Sequence, residues 1–161
     1  MPNWCSNTVT FTHSDPTMIQ SVVDRFNKGG FFNSFVPLNE SDDNQIESAI
    51  AKWGCKWDLD AKNYDFGESA PNRADPNTVT LCFETPWSPP VVFYQSMMED
   101  YGYGVEAKYF EPGMGFAGYW TNGDIEEYEF GNAHDVAELP EDLVEEFQID
   151  GYFDEEEEND E

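Results

Sequence analysis

Thr78–Gly104 reads TVTLCFETPWSPPVVFYQSMMEDYGYG, and its succession of strand, corner and helix decides the architecture. Val79, Leu81 and Phe83 alternate with Thr78, Thr80, Cys82 and Glu84, the period of two expected of a strand covered on one face. Thr85-Pro86-Trp87 interrupts the ladder, because proline has no N–H to donate and holds the residue before it extended. Ser88 is placed to cap a helix with Pro89 at its first position, where a missing N–H costs nothing. Val92, Phe93, Ser96 and Met97 follow at helical spacing, and Gly102 and Gly104 can end the helix.

Upstream, Val9 and Phe11 alternate with Thr8, Thr10 and Thr12, which predicts a first strand over Asn7–His13. Asp15 caps a helix with Pro16 at its first position, an apolar stripe of Met18, Ile19, Val22, Val23 and Phe26, and Gly29-Gly30 as its stop. Phe31–Leu38 is apolar without a clear period and contains Pro37, so it is expected to run extended over the core. A short helix is predicted over 43–53, with Ser41 as cap, Ile46, Ile50 and Trp53 on one side and Gly54 beyond it. Trp57, Leu59 and Ala61 alternate with Lys56, Asp58, Asp60 and Lys62, which predicts a second strand; residues 64–77 have the composition of a long loop.

Downstream, Val105, Ala107 and Tyr109 alternate with Glu106, Lys108 and Phe110 as a further strand. Asn122-Gly123 between two aromatic-rich runs signals a tight hairpin with strands Phe116–Thr121 and Ile125–Phe130. Two split β-α-β units interleaved in one antiparallel sheet, with helices on one face, account for this order without long crossovers. The expected fold is therefore an α+β, ferredoxin-like sandwich over residues 1–131 with an extra C-terminal hairpin. Residues 132–161 form an acidic extension: a short helix carrying Leu139, Leu143, Val144 and Phe147, then Ile149, Tyr152 and a solvated tail ending DEEEENDE.

Charge narrows the function classes. The chain carries 34 acidic and 7 basic residues, a net charge of −27, a field that repels nucleic acid and anionic membranes and attracts basic protein surfaces. The last basic residue is Lys108, and residues 109–161 hold 19 carboxylates, so the repulsion is concentrated in the C-terminal third. The three cysteines, Cys5, Cys55 and Cys82, fit no CxxC pattern and are expected as reduced cytoplasmic thiols. No apolar run reaches the ~20 residues that span a bilayer.

Motifs for catalysis or cofactors are weak. Gly113, Gly115 and Gly118 spell G-x-G-x-x-G, but they lead into a hairpin and not a helix N-terminus, so tight backbone packing is expected in place of a dinucleotide. His13 and His134 share no ligand spacing with the cysteines, and no metal or cofactor is assigned. Asp58 and Asp60 fall on one strand face and are read as solvated carboxylates.

MPNWCSNTVTF at 1–11, WGCKWD at 53–58, FETPWSPP at 83–90 and EPGMGFAGYW at 111–120 resemble, in order, the motifs of the YubB-like proteins of plasmids and phages. The resemblance covers roughly residues 1–130 and implies a ferredoxin-like domain, a mobile genetic element as source and a bacterial cytoplasm as setting. It brings no catalytic residues with it.

The expectation is a non-catalytic accessory protein that binds a basic, nucleic-acid-binding host protein by DNA-like charge mimicry, without binding nucleic acid or membrane itself. The candidate contacts are Asp124, Glu126, Glu127 and Glu129 on the hairpin and Glu141, Asp142, Glu145 and Glu146 on the last helix. The alternative is a small-molecule or nucleotide-handling domain with an aromatic pocket near Trp57, Trp87 and Trp120. Removal of residues 132–161 should spare the second activity and weaken the first.

Overall fold

The computed structural model describes residues 3–41, 43–59, 70–131 and 133–151. The chain runs β1 (Trp4–Thr12), α1 (Pro16–Lys28), α2 (Phe31–Phe35), α3 (Gln45–Trp53), β2 (Asn72–Asp75), β3 (Thr78–Pro86), α4 (Val91–Tyr101), β4 (Gly104–Glu111), β5 (Phe116–Thr121), β6 (Asp124–Glu129), α5 (Ala133–Val136) and α6 (Glu141–Phe147). The strands form one six-stranded antiparallel sheet in the order β2-β3-β1-β4-β5-β6. The first split unit places β1 and β2 on either side of β3, and the second places β3 and β4 on either side of β1. This interleaving is the ferredoxin-like arrangement, and the β5–β6 hairpin widens it at the β4 edge.

Period-2 side chains from β1, β3 and β4 (Val9, Phe11, Val79, Leu81, Phe83, Val105 and Ala107) bury one face of the sheet beneath the helices. Ile19, Val22 and Phe26 of α1 meet them, with Phe93, Tyr94 and Met97 of α4. Each of the Val, Leu, Ile, Phe and Met side chains among them contributes about 1.5–3 kcal/mol through burial. Asp15 accepts the Thr17 N–H at 2.9 Å and Pro16 opens α1, as its sequence predicts.

Several elements differ from the sequence expectation. Phe31–Phe35 is a helix and not an extended connection: all three of its phenylalanines are buried, and its first-turn amides are capped from a distance. Asp58 accepts the N–H of Phe32 at 2.8 Å and that of Asn33 at 2.9 Å. Asp58 is therefore a helix cap, and residues 56–59 are irregular; Asp60, Ala61 and Lys62 of the predicted strand lie outside the described residues. Its place in the fold is taken by β2, inside the stretch expected as loop. All four β2 residues are exposed, so it carries no apolar alternation and is held through its ladder to β3.

Helix α3 is capped by Asn44, which accepts the Glu47 N–H at 3.0 Å, while Ser41 donates to Asn39. Ala49 and Trp53 face the core, and Ile46 and Ile50 are each 50% exposed. Helix α4 starts at Val91, beyond Ser88 and Pro89, because the Ser88 hydroxyl is committed to the Gly54 carbonyl at 2.8 Å. The hairpin forms as predicted, with Asn122 and Gly123 at φ +47° and +101°.

Candidate interaction surface

The face of the sheet away from α1 and α4 has two parts. One end is covered by the chain that follows the hairpin, through a second core of Phe110, Ala117, Phe130, Val136, Leu139, Leu143 and Ile149. Leu143 and Ile149 are fully buried. Helical spacing follows from that anchor: Leu143 and Phe147 turn inward, Glu141 and Glu145 turn to the opposite side, and Asp142 and Glu146 lie on one flank. The Asp142 carboxylate lies 3.7 Å from the Lys108 ammonium and accepts the Tyr119 hydroxyl. That hydroxyl, ahead of the Lys108 charge, holds the Asp142 carboxyl below the ordinary range.

The part left uncovered among the described residues is a cleft of about 690 Å³ floored by Thr8, Thr10, Thr80 and Cys82, with Glu106, Lys108 and Glu146 along its walls. The floor hydroxyls of Thr10 and Thr80 bond one another at 2.8 Å. Beside it a groove of about 570 Å³ runs between Tyr119 and Tyr128, bordered by Asp124 and Glu126.

All eight candidate carboxylates are exposed on ordered elements, but they do not form one cluster. Cross-strand register places Asp124 and Glu126 opposite Thr121 and Tyr119, on the open face with the cleft. Glu127 and Glu129 pair with Gly118 and Phe116 and point to the other face. Glu127 accepts the Tyr109 hydroxyl at 2.8 Å. Glu146 lines the cleft and Asp142 contacts two of its lining residues, Lys108 and Tyr119; Glu141 and Glu145 face away from the sheet.

The three tryptophans are not one pocket. Trp120 is 4% exposed, on the helix-covered face, with its ring 5.8 Å from that of Tyr94. Trp57 and Trp87 are 43% and 45% exposed. Lys56 joins them, its ammonium 4.4 Å from the Trp57 ring and 5.6 Å from the Trp87 ring. Sequence proximity to a turn grouped all three; burial separates them, with Trp120 packed on Tyr94 inside the core while Trp57 and Trp87 stand exposed outside the strands. Trp4, which the sequence reading left out of the group, lies 6.2 Å from Trp57.

The three cysteines are free. Burial drives the Cys5 thiol well above its ordinary value and raises that of Cys55 to about 12, which suppresses the thiolate a nucleophile needs. Among the described residues no group of three or more His, Cys, Asp or Glu side chains is arranged to hold a metal, and no helix is long and apolar enough to cross a membrane. The G-x-G-x-x-G run is a packing feature. A Cβ on Gly115 would lie 2.3 Å from the Phe130 carbonyl oxygen, and the buried Glu111 carboxylate accepts the N–H groups of Gly113 and Met114, each at 2.7 Å.

Fold and surface together define a ferredoxin-like α+β domain with an acidic, hydroxyl-floored open face. The chain belongs to the family described as the ferredoxin-like domain in Api92-like protein, which it matches over residues 52–161. The matched range runs through the acidic C-terminal segment, beyond the four motifs. Among solved structures it is similar to the crystal structure of a protein api92 from Yersinia pseudotuberculosis, at 21% identity and a TM-score of 0.41. That match covers 63% of this chain and 36% of the other, about a third of that protein's length. No curated protein matches the chain.

Proposed function

We propose that this chain is a non-catalytic accessory protein, akin to the YubB-like proteins of plasmids and phages, that binds a basic host protein in place of nucleic acid. The supporting observation is the anchoring of α6. With Leu143 and Ile149 buried against Phe110 and Phe130, the carboxylates of Glu141, Asp142, Glu145 and Glu146 stand on a fixed frame on the same side of the sheet as Asp124 and Glu126 of the hairpin. Binding through them then orders little backbone, and a net charge of −27 steers a basic partner during encounter. DNA-binding proteins present Lys and Arg to phosphates, and their grooves are the basic surfaces that such a frame complements.

Deleting residues 132–161 would strip the second core as well as the charge, so a charge-only variant is the better test. D124N/E126Q/E141Q/E145Q/E146Q removes five charges and leaves the Asp142–Lys108 pair intact. Wild type and variant are used to capture proteins from bacterial lysate at low and moderate salt, and each captured protein is purified and tested for competition with duplex DNA. The expected result is a basic DNA-binding protein held by wild type, released by salt and lost with the variant. Equal, salt-insensitive capture by both proteins overturns the reading.

A second reading places a nucleotide or other planar ligand at Trp57 and Trp87 without Trp120. It is supported by Trp87, whose φ of +73° is a strained conformation for a bulky residue and presents an exposed ring. Nucleotide titration followed by tryptophan fluorescence separates the readings: quenching lost in W57A but kept in the five-fold charge variant favours the platform.

A further inference from the structure

We propose that the outer edge of β6 is a docking strand for an extended, basic segment of the partner, which joins the sheet by strand addition; this rests on the charge-recognition reading above. Among the described residues β6 is the last strand in the sheet order, with β5 as its one neighbour, and five of its six residues are exposed. The Phe130 N–H bonds to the Gly115 carbonyl at 2.8 Å and the Asn122 N–H to the Val105 carbonyl at 2.9 Å. Alternation of the antiparallel ladder from those two bonds turns the N–H and C=O groups of Ile125, Glu127 and Glu129 away from β5, toward the free edge. Ile125 is 57% exposed there.

An open edge usually carries charged side chains, above all lysine, or proline or a bulge that blocks pairing. The β6 segment, DIEEYE, has no lysine, proline or bulge, and its guard is purely anionic. It carries four carboxylates, two on each face of the sheet. A second copy of β6 brought alongside would set like charges opposite one another, which is destabilising. An incoming strand with Lys or Arg at alternate positions gains both the main-chain bonds and the cross-strand ion pairs, and side-chain charge then selects among strands that the backbone alone would accept.

The test uses the full chain and two ten-residue probes, one alternating lysine with valine and one alternating glutamate with valine. Ile125→Pro deletes an N–H that points outward, so the β5–β6 ladder and the net charge are kept. Strand addition is expected to slow amide exchange at Ile125, Glu127 and Glu129 in the wild-type protein on binding the lysine probe. I125P should then bind at least tenfold more weakly than I125V, and E126Q/E129Q should also lose affinity. The exchange measurement needs no variant and decides the matter if I125P misfolds. Unchanged exchange at those three amides, or no binding of the lysine probe, overturns strand addition. If I125P binds like wild type while E126Q/E129Q does not, the edge proposal fails and the charge reading stands. If the glutamate probe binds as well as the lysine probe, both fail.

Discussion

Tyr109 on β4 donates its hydroxyl to Glu127 on β6 at 2.8 Å, reaching over Gly118 of the strand between them. A Cβ at Gly118 would lie 2.8 Å from that hydroxyl and 2.3 Å from the Glu126 carbonyl oxygen. The second contact is with backbone, which cannot swing aside. G118A should therefore cost about 1–3 kcal/mol, the usual range for overpacking, against about 1 kcal/mol for Y109F, which removes a single hydrogen bond. Urea melts of the two variants give the ranking; Y109F as the more damaging would contradict it.

Trp87 offers a backbone test. Its N–H donates to the Asn3 carbonyl at 2.7 Å with φ at +73°, a conformation that glycine adopts without penalty. W87G and W87A both delete the ring, but only glycine relieves the backbone. W87G should be more stable than W87A by about 1 kcal/mol, and equal melting temperatures would refute the strain.

Stability should peak on the acid side of neutral. Burial is the largest influence on Asp58 and Glu84 and raises both carboxyls, opposed by backbone amides at Asp58 and by the Ser6 hydroxyl at Glu84. Their folded forms bind protons more tightly than the unfolded chain. The stability they confer is thus complete below the unfolded carboxylate range and is lost as pH rises through the folded values. Self-repulsion at −27 acts in the same direction. Asp142 and Asp15 have lowered carboxyls, chiefly through the hydroxyls of Tyr119 and Thr17, and their contribution is lost as pH falls through those folded values. Denaturation should show stability rising from pH 7 toward roughly pH 5 and declining in stronger acid. The rise should be shallower in D58N; an unchanged slope would remove Asp58 from the account.

Apolar burial, not the ion pair, should hold α6 in place. The Lys108–Asp142 pair is open to solvent and spans 3.7 Å, so D142N should cost no more than about 0.2–1 kcal/mol. Leu143 is fully buried, and L143A should cost about 2–5 kcal/mol. Hydrogen exchange of residues 141–147 reads the difference directly: rapid exchange is expected in L143A and near-native protection in D142N.

Elements with self-contained signals were legible in the residues. Asp15-Pro16, the alternation in β1, β3 and β4 and the Asn122-Gly123 turn each specify their geometry within a few positions, and together they determine the ferredoxin-like order. Elements that depend on distant partners were not. Phe31–Phe35 is helical because Asp58, far along the chain, caps its first turn, and Ser88 leaves its capping role for the Gly54 carbonyl. Strand β2 has no buried residue to impose a period. For the surface, residue type and chain region located the carboxylates, but their division between the two faces follows from hairpin register, which also turns Trp120 into the core, away from the exposed Trp57 and Trp87.

The central position of β1 has a consequence for synthesis. Both of its neighbours, β3 and β4, lie far downstream, with Trp4 opposite Pro86 and Ser6 opposite Phe110. At about 5–20 residues per second, the nascent strand waits on the order of 5–20 s for its ladder. Meanwhile Val9 and Phe11 are bare, and every other residue between them and beyond is a threonine. The hydroxyls that later floor the cleft thus keep one side of the newborn segment wet until its partners leave the ribosome.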